Sequence, residues 1–348
     1  MDFLYNNNMK KSHVKIQEIA DILGLSRNTV SKALNGHYVP QKTRELILRV
    51  AQELNYQSMN DLMLRNKKEL HILLLSGTVL NNINYFSSVL KGLENYCFDN
   101  NIQLYQHTFN GSLSSISSVK ESVEKFKIDG ILCAEILNNE LVNQLLKFDV
   151  PVCFIDFPVT KFLPKGNYDI ILPECGDKLK LLLNDFIVNN DIHNISFIGD
   201  CRHCLSFNER YQSTLAIVIN NNLDHSAEDD IIDAESIDFG NPATIKYRII
   251  KQKIKSKLFV CGNDFIAKNV IDALYLMGKK VPEDVMVVGF DNSKESQNNT
   301  PSITTIGINH EALGKLAVTT LVNRIMNSDL PATTIRMASE VFIRESTK

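Results

Sequence analysis

The chain has 348 residues, 44% hydrophobic and 22% charged, ordinary proportions for a globular protein long enough for two or three domains. Its seven scattered cysteines fit reduced cytoplasmic thiols better than a disulfide framework. Neither a membrane span of about 18 apolar residues nor a secretory signal in MDFLYNNNMKK is expected, and Met9 offers an alternative start. The formal net charge of −3 hides an asymmetry: eight basic residues against three acids between Lys10 and Val50, and a surplus of seven acids from Ala51 onward.

A basic head on an acidic body points to a polyanion partner for the head alone. In that head, Ile16, Ile19, Ala20 and Leu23 recur at helical spacing. Gly24 follows, where a helix ends with positive φ, and Ser26 suits the N-cap of a second helix. Val30, Ala33 and Leu34 form the inward stripe of that helix, and Asn35-Gly36 stops it. A third pattern, Leu46, Ile47, Val50, Ala51 and Leu54, begins after Pro40 and Thr43. The expectation is an all-α three-helix module with a tight turn between its first two helices.

The second helix leaves Arg27, Asn28, Ser31 and Lys32 off its apolar stripe. A helix that reads DNA contacts base edges mostly from its N-terminal end. Arg27 there can pair bidentately with guanine and Asn28 with adenine. Lys32, one turn later, reaches a base or a phosphate, while Thr29, Ser31 and Asn35 suit phosphate positioning. A plain three-helix module with a solvated polar face has the same pattern, so composition alone leaves both readings open.

The order of residues carries more. Ile16, Ile19, Ala20, Gly24, Ser26, Thr29, Val30, Ser31, Leu34, Asn35 and Gly36, continued by Thr43-Arg44, Ala51 and Leu54-Asn55-Tyr56, resemble the headpiece of the LacI/GalR family of transcription regulators. The resemblance implies a DNA-binding headpiece over 10–57 and a hinge over 58–68. It predicts Tyr-x-Pro-Asn and a hinge helix with a minor-groove leucine wedge. This chain has Ser58 in place of that Pro and Arg65 where the wedge is expected. Leu64 or Leu62 is then either the wedge or an ordinary packing residue.

Beyond Glu69 short apolar runs alternate with helical patterns. The runs are His71–Leu75, Ile102–Tyr105, Gly130–Cys133, Val152–Ile155, Ile195–Ile198, Leu258–Cys261 and Val285–Gly289. Between them lie Tyr85–Cys97, Leu141–Phe148, Lys178–Val188, Phe265–Met277 and Glu311–Met326. Continuous apolar strands between helices mean α/β architecture, with parallel sheets covered on both faces. Ligands of such folds bind beyond the C-terminal ends of the strands.

The family resemblance extends over this region through Val281-Pro282-Glu283-Asp284-Val285, Val288-Gly289-Phe290-Asp291, Thr300-Pro301 and Thr304-Thr305-Ile306. Asp129-Gly130-Ile131, Pro151-Val152, Ile155-Asp156 and Phe197-Ile198-Gly199 continue it. It implies a two-lobe core like that of periplasmic binding proteins. The expected first lobe covers 69–171 and 301–328, and the second 172–300 and 329–348. A small, sugar-like effector would lie between them. Carried over position by position, the effector residues are Tyr85, Phe86, Phe157, Arg210, Asn263 and Asp291. Each also has a structural reading: caps and turns for Asn263 and Asp291, core for the aromatics, and an ion pair with Glu209 or Asp200 for Arg210. Phe157 stands where sugar-responsive members often have Arg, which suggests a less polar ligand.

Cys201-Arg-His-Cys204 has metal-like spacing but no second pair nearby, so no metal is expected, and no cofactor. The glycines make no phosphate loop, and no nucleophile–base set is visible. The reading is therefore a cytoplasmic homodimeric regulator, not an enzyme, whose partners are double-stranded operator DNA and a small-molecule effector. The rivals are a stand-alone binding protein of the transport type and an enzyme on a doubly wound fold with a helical appendage.

Overall fold

The protein, described by a computed structural model, is defined over residues 14–34, 39–54, 69–77, 83–109, 115–190, 192–232 and 237–348. Asn35 and Leu64, two of the expected DNA contacts, and the expected hinge lie outside the described residues. The chain forms two compact units, one ending at Glu69 and one starting at Leu70.

In the first unit, α1 (Ile16–Leu23), α2 (Arg27–Leu34) and α3 (Gln41–Glu53) follow the periodicity of the sequence. Gly24 ends α1 at φ 64°, and its N–H bonds to carbonyls of the last turn. A side chain there would strain the left-handed backbone, and glycine avoids that cost. Ser26 caps α2, its hydroxyl accepting the Thr29 N–H at 3.0 Å. Ile19, Ala20, Val30, Ala33, Ile47 and Ala51 close the core between the three helices. Leu46, expected on the inward stripe of α3, is 37% exposed. Ile47 and Ala51, one turn apart, set the inward line, and Leu46 sits about 100° round from it.

The second unit contains two sheets. The first has strand order β10-β5-β4-β3-β1-β2, all parallel. Its strands are β1 (Leu70–Gly77), β2 (Ile102–Phe109), β3 (Gly130–Ala134), β4 (Val152–Ile155), β5 (Tyr168–Pro173) and β10 (Thr333–Met337). The second sheet runs β11-β9-β8-β7-β6, parallel except for β11. It is built from β6 (Ile195–Ile198), β7 (Leu258–Cys261), β8 (Met286–Asp291), β9 (Thr304–Gly307) and β11 (Glu340–Phe342). Along β7, Leu258 and Val260 enter one core and Phe259 and Cys261 the other. Both faces of the strand are buried, hence its unbroken apolar run.

The helices between strands are α4 (Ile83–Asp99), α5 (Ile116–Phe126), α6 (Asn139–Leu145), α7 (Asp177–Asn190), α8 (Leu205–Asn220), α9 (Pro242–Gln252), α10 (Asp264–Tyr275), α11 (Lys294–Asn298) and α12 (His310–Met326). Helices α4 and α12 meet backbone to backbone. A Cβ on Gly92 would lie 1.9 Å from the Glu311 carbonyl oxygen, and one on Gly314 2.0 Å from that of Val89. These two glycines are what permits the approach.

The strand pairing corrects the expected lobe boundaries. Thr304–Gly307, placed in the first lobe by sequence, pairs with β8 of the second sheet. Thr333–Met337, placed in the second lobe, pairs with β5 of the first. The chain crosses between the sheets after Pro173, between Gly307 and His310, and between Met337 and Glu340. The edge strand β10 is too polar to announce itself as a buried strand. Its place is fixed by Arg324 on α12, which is 2% exposed and bonds Asp169 of β5 through Nε and Nη2. The same guanidinium donates to the carbonyls of Leu330 and Pro331, just before β10.

Candidate functional site

The C-terminal ends of the strands from both sheets converge on one cavity of about 190 Å³. Glu135 follows β3, Asp156 follows β4, Pro173 ends β5, Asp200 lies just past β6, Asn263 just past β7, and Asp291 ends β8. This is where open α/β sheets place their ligands. The aromatic wall is Tyr85 and Phe86 from α4, with Phe207 from α8. Three of the acids hold left-handed backbone, Glu135 at φ 58°, Asp156 at 64° and Asp291 at 106°. Such strain concentrates at binding sites that the surrounding fold over-determines.

Arg210 of α8 is the cation of the cavity and is 3% exposed. Its guanidinium carbon lies 3.5 Å from the Phe290 ring centroid and 5.1 Å from that of Phe207. One terminal nitrogen donates to the Gly262 carbonyl, and the other is 3.9 Å from Asp291 Oδ1. The stack and the carbonyl fix the fork rigidly, as directional binding of a hydroxyl requires. Asn263 caps α10, its side-chain oxygen accepting the Ile266 N–H at 2.9 Å. That leaves its amide hydrogens for the cavity. The cap reading and the ligand reading of Asn263 are thus compatible.

Tyr85 packs edge-on against His310, ring centroids 4.9 Å apart. Burial, with Asp291, Asp156 and Glu135 nearby, raises the Tyr85 hydroxyl well above the usual phenol range, so it stays a hydrogen-bond donor. Burial also holds His310 down to about 4 and thus neutral.

Five of the six residues expected from sequence line the cavity: Tyr85, Phe86, Arg210, Asn263 and Asp291. Phe157 does not. It is fully buried in the first-sheet core, stacked on Tyr168 and edge-on to Phe154. The backbone explains its orientation. Residues 157–159 pair antiparallel with 203–205, through Leu205 N–H to Phe157 O at 2.9 Å and Val159 N–H to His203 O at 2.8 Å. An apolar ring held by that ladder gains more from the core than from a polar cavity.

The sequence reading missed Glu135, Asp156, Asp200 and Ser206. Asp156 fastens β4 to the start of α8: its carboxylate accepts from Ser206 Oγ, from Ser206 N at 3.3 Å and from the Cys204 thiol at 3.1 Å. The Cys-Arg-His-Cys segment has an evident structural use, since His203 Nδ1 lies 2.9 Å from Asp200 Oδ1. Among the described residues no group of three or more His, Cys, Asp or Glu is arranged to hold a metal ion. The one signal available for the acids was position, each lying within two residues of the end of a predicted strand.

On the headpiece, Arg27, Asn28 and Lys32 are exposed along α2, with Thr29 and Ser31 half-buried. The Thr29 hydroxyl lies 2.8 Å from that of Ser26 at the start of α2. No helix among the described residues is long and apolar enough to cross a membrane.

A short-turn helix pair with a polar outer face and, in the same chain, a two-sheet small-molecule receptor define a ligand-controlled DNA-binding regulator. Residues 15–58 match the bacterial regulatory proteins of the lacI family, and residues 185–347 match the periplasmic binding protein-like domain. Over 340 residues the chain is 25% identical to the HTH-type transcriptional repressor PurR of Pasteurella multocida strain Pm70, covering 96% of this chain and 98% of that protein. A solved complex of the transcriptional regulator CelR with cellobiose has the same fold, with a TM-score of 0.70 at 18% identity over 96% of this chain and 100% of that one. The lac repressor dimer bound to operator and the anti-inducer ONPF gives 0.68 at 18% identity, over 97% and 99%. The chain thus joins a domain like that of the lacI-family bacterial regulatory proteins to a periplasmic binding protein-like domain; it is a transcription regulator and not an enzyme.

Proposed function

We propose that this protein is a dimeric repressor that reads a pseudo-palindromic operator through Arg27, Asn28 and Lys32 of α2, and that a small polyhydroxylated effector in the core cavity sets its affinity for DNA. Thr29 and Ser31 position the helix on phosphate, and Arg210, Asn263, Asp291, Tyr85 and Phe86 hold the effector. A DNA partner places its work in the cytoplasm, on the nucleoid. The observation that carries this reading is the stacked, rigid Arg210 beside Asp291 and Asn263 at the strand ends, in a chain whose headpiece exposes an Arg-Asn pair at the start of a capped helix. A transport-type binding protein has no use for that headpiece.

The effector acts by binding one lobe arrangement better than another; equal affinity for both would change nothing. The test is titration of the intact protein against its own upstream intergenic DNA at two salt concentrations. Specific binding with steep salt dependence is expected. Equal affinity for random DNA would remove the regulator reading.

A further inference from the structure

The four carboxylates of the cavity are not alike. Asp291 faces Arg210 at 3.9 Å. Asp156 accepts from Ser206 and Cys204. Asp200 lies against His203 and accepts the Arg202 N–H. Glu135 has neither a hydrogen bond nor an ion pair for its side chain among the described residues, although it is half-buried in the cavity wall and held at left-handed φ. Among the described residues no lysine lines the cavity, and its one guanidinium is committed to Gly262 and the Asp291 side.

A carboxyl drawn partly out of water without a partner carries a desolvation cost that a cationic ligand offsets. We propose that the effector carries a protonated amine, and that Glu135 is the residue that selects it. This deepens the effector reading of the cavity and rests on it. The Asp156 carboxylate adds negative field in the same corner, which favours a cation over a neutral hydroxyl. Tyr85 and Phe86 present aromatic rings, whose faces also attract ammonium groups. Arg210, Asn263 and Asp291 are left for ring hydroxyls. A volume of about 190 Å³ lies below the range of roughly 300–1,000 Å³ typical of drug-sized ligands. The ligand class is therefore an aminated polyol of one ring, an amino sugar or a close analogue.

The experiment compares matched probes on the intact protein by thermal shift and calorimetric titration: glucosamine with glucose, galactosamine with galactose, mannosamine with mannose, and the N-acetyl form of each amine. The expected result is at least one amine that binds tenfold or more tighter than both its neutral parent and its acetylated form. In Glu135→Gln that advantage should fall to about twofold or less, with the variant's folding checked by its melting temperature. A neutral parent or acetyl form binding as tightly as the amine overturns the inference and leaves the cavity reading standing. So does an amine preference that survives in the variant. If no probe of any series binds, the sugar-like reading of the cavity falls, and the inference with it.

Discussion

Arg336 and Glu209 join the two lobes by a bidentate ion pair, each guanidinium nitrogen 2.6 Å from its own carboxylate oxygen. Arg336 lies on β10, the edge of the first sheet, and Glu209 is the residue before Arg210 on α8. The sequence offered Glu209 as a partner for Arg210; the structure gives it to Arg336 and leaves Arg210 to the cavity. The pair is partly exposed, at 45% and 26%, so it is worth at most about 1 kcal/mol.

That modest energy acts between lobes and therefore on effector affinity. Arg336→Gln should weaken effector binding by about two- to fivefold at low ionic strength, converting up to about 1 kcal/mol at 1.4 kcal/mol per decade. The difference should shrink at high salt. Titrations of both proteins at two ionic strengths decide it; identical affinities at low salt would show that the pair does not bias closure.

The buried counterpart is Arg324 with Asp169, 2% and 4% exposed at their side chains. Every bond of that guanidinium goes to the first-lobe edge: Asp169, Asn167, Leu330 and Pro331. Arg324→Met leaves Asp169 buried and uncompensated, which should cost about 3–5 kcal/mol. Urea unfolding measures the loss, and limited proteolysis should find new cleavage near Pro331 as β10 loosens. A stability change under about 1 kcal/mol would contradict the pairing.

These two arginines also mark where sequence reasoning stops. Runs such as Val152–Ile155 and Leu258–Cys261 were legible because burial on both faces leaves an unbroken apolar string. The core strands β5, β9 and β10 and the helices α5, α8 and α9 were not singled out. Among these, Thr333–Met337 is half exposed and is held by an arginine whose carboxylate partner is 155 positions away. The cavity was legible where a residue type announces directional chemistry at a strand end, as Arg210, Asn263 and Asp291 do. Asp156 was quoted only as part of a matching string, because its partner Ser206 is 50 positions on. Phe157 was misplaced because nothing local shows that its backbone pairs with 203–205.

On the headpiece, two kinds of loss should separate cleanly. Arg27→Ala or Asn28→Ala should cost about 1–3 kcal/mol of operator affinity and relax base preference at one position per half-site. Ser26→Ala should instead lower headpiece stability by about 1 kcal/mol, because Ser26 accepts the Thr29 N–H. It should weaken all DNA sequences alike. Binding selections against randomised half-sites distinguish the two. Uniform loss in the Arg27 and Asn28 variants would make them phosphate contacts.

The last prediction concerns the unliganded protein and Glu135. Burial, and then the neighbouring Asp156, push its carboxyl up to about 7. In the unfolded chain it titrates near its ordinary value of about 4.3. Between those two values the folded state holds a proton that the unfolded state has lost. Stability must therefore fall as pH rises through that window and level off above it. The full difference corresponds to about 4 kcal/mol, less whatever water in the cavity screens. Asp264, buried and raised to about 6, contributes a slope of the same sign, so the wild-type curve alone does not isolate Glu135. The difference between wild type and Glu135→Gln does. Glutamine cannot ionise, so the variant should match the wild type near pH 4 and become progressively more stable than it toward pH 8. Denaturant unfolding at several pH values without ligand measures the gap. Two parallel curves would mean that the Glu135 carboxylate is solvated in the folded protein, and would remove the unpaired charge on which amine selection depends.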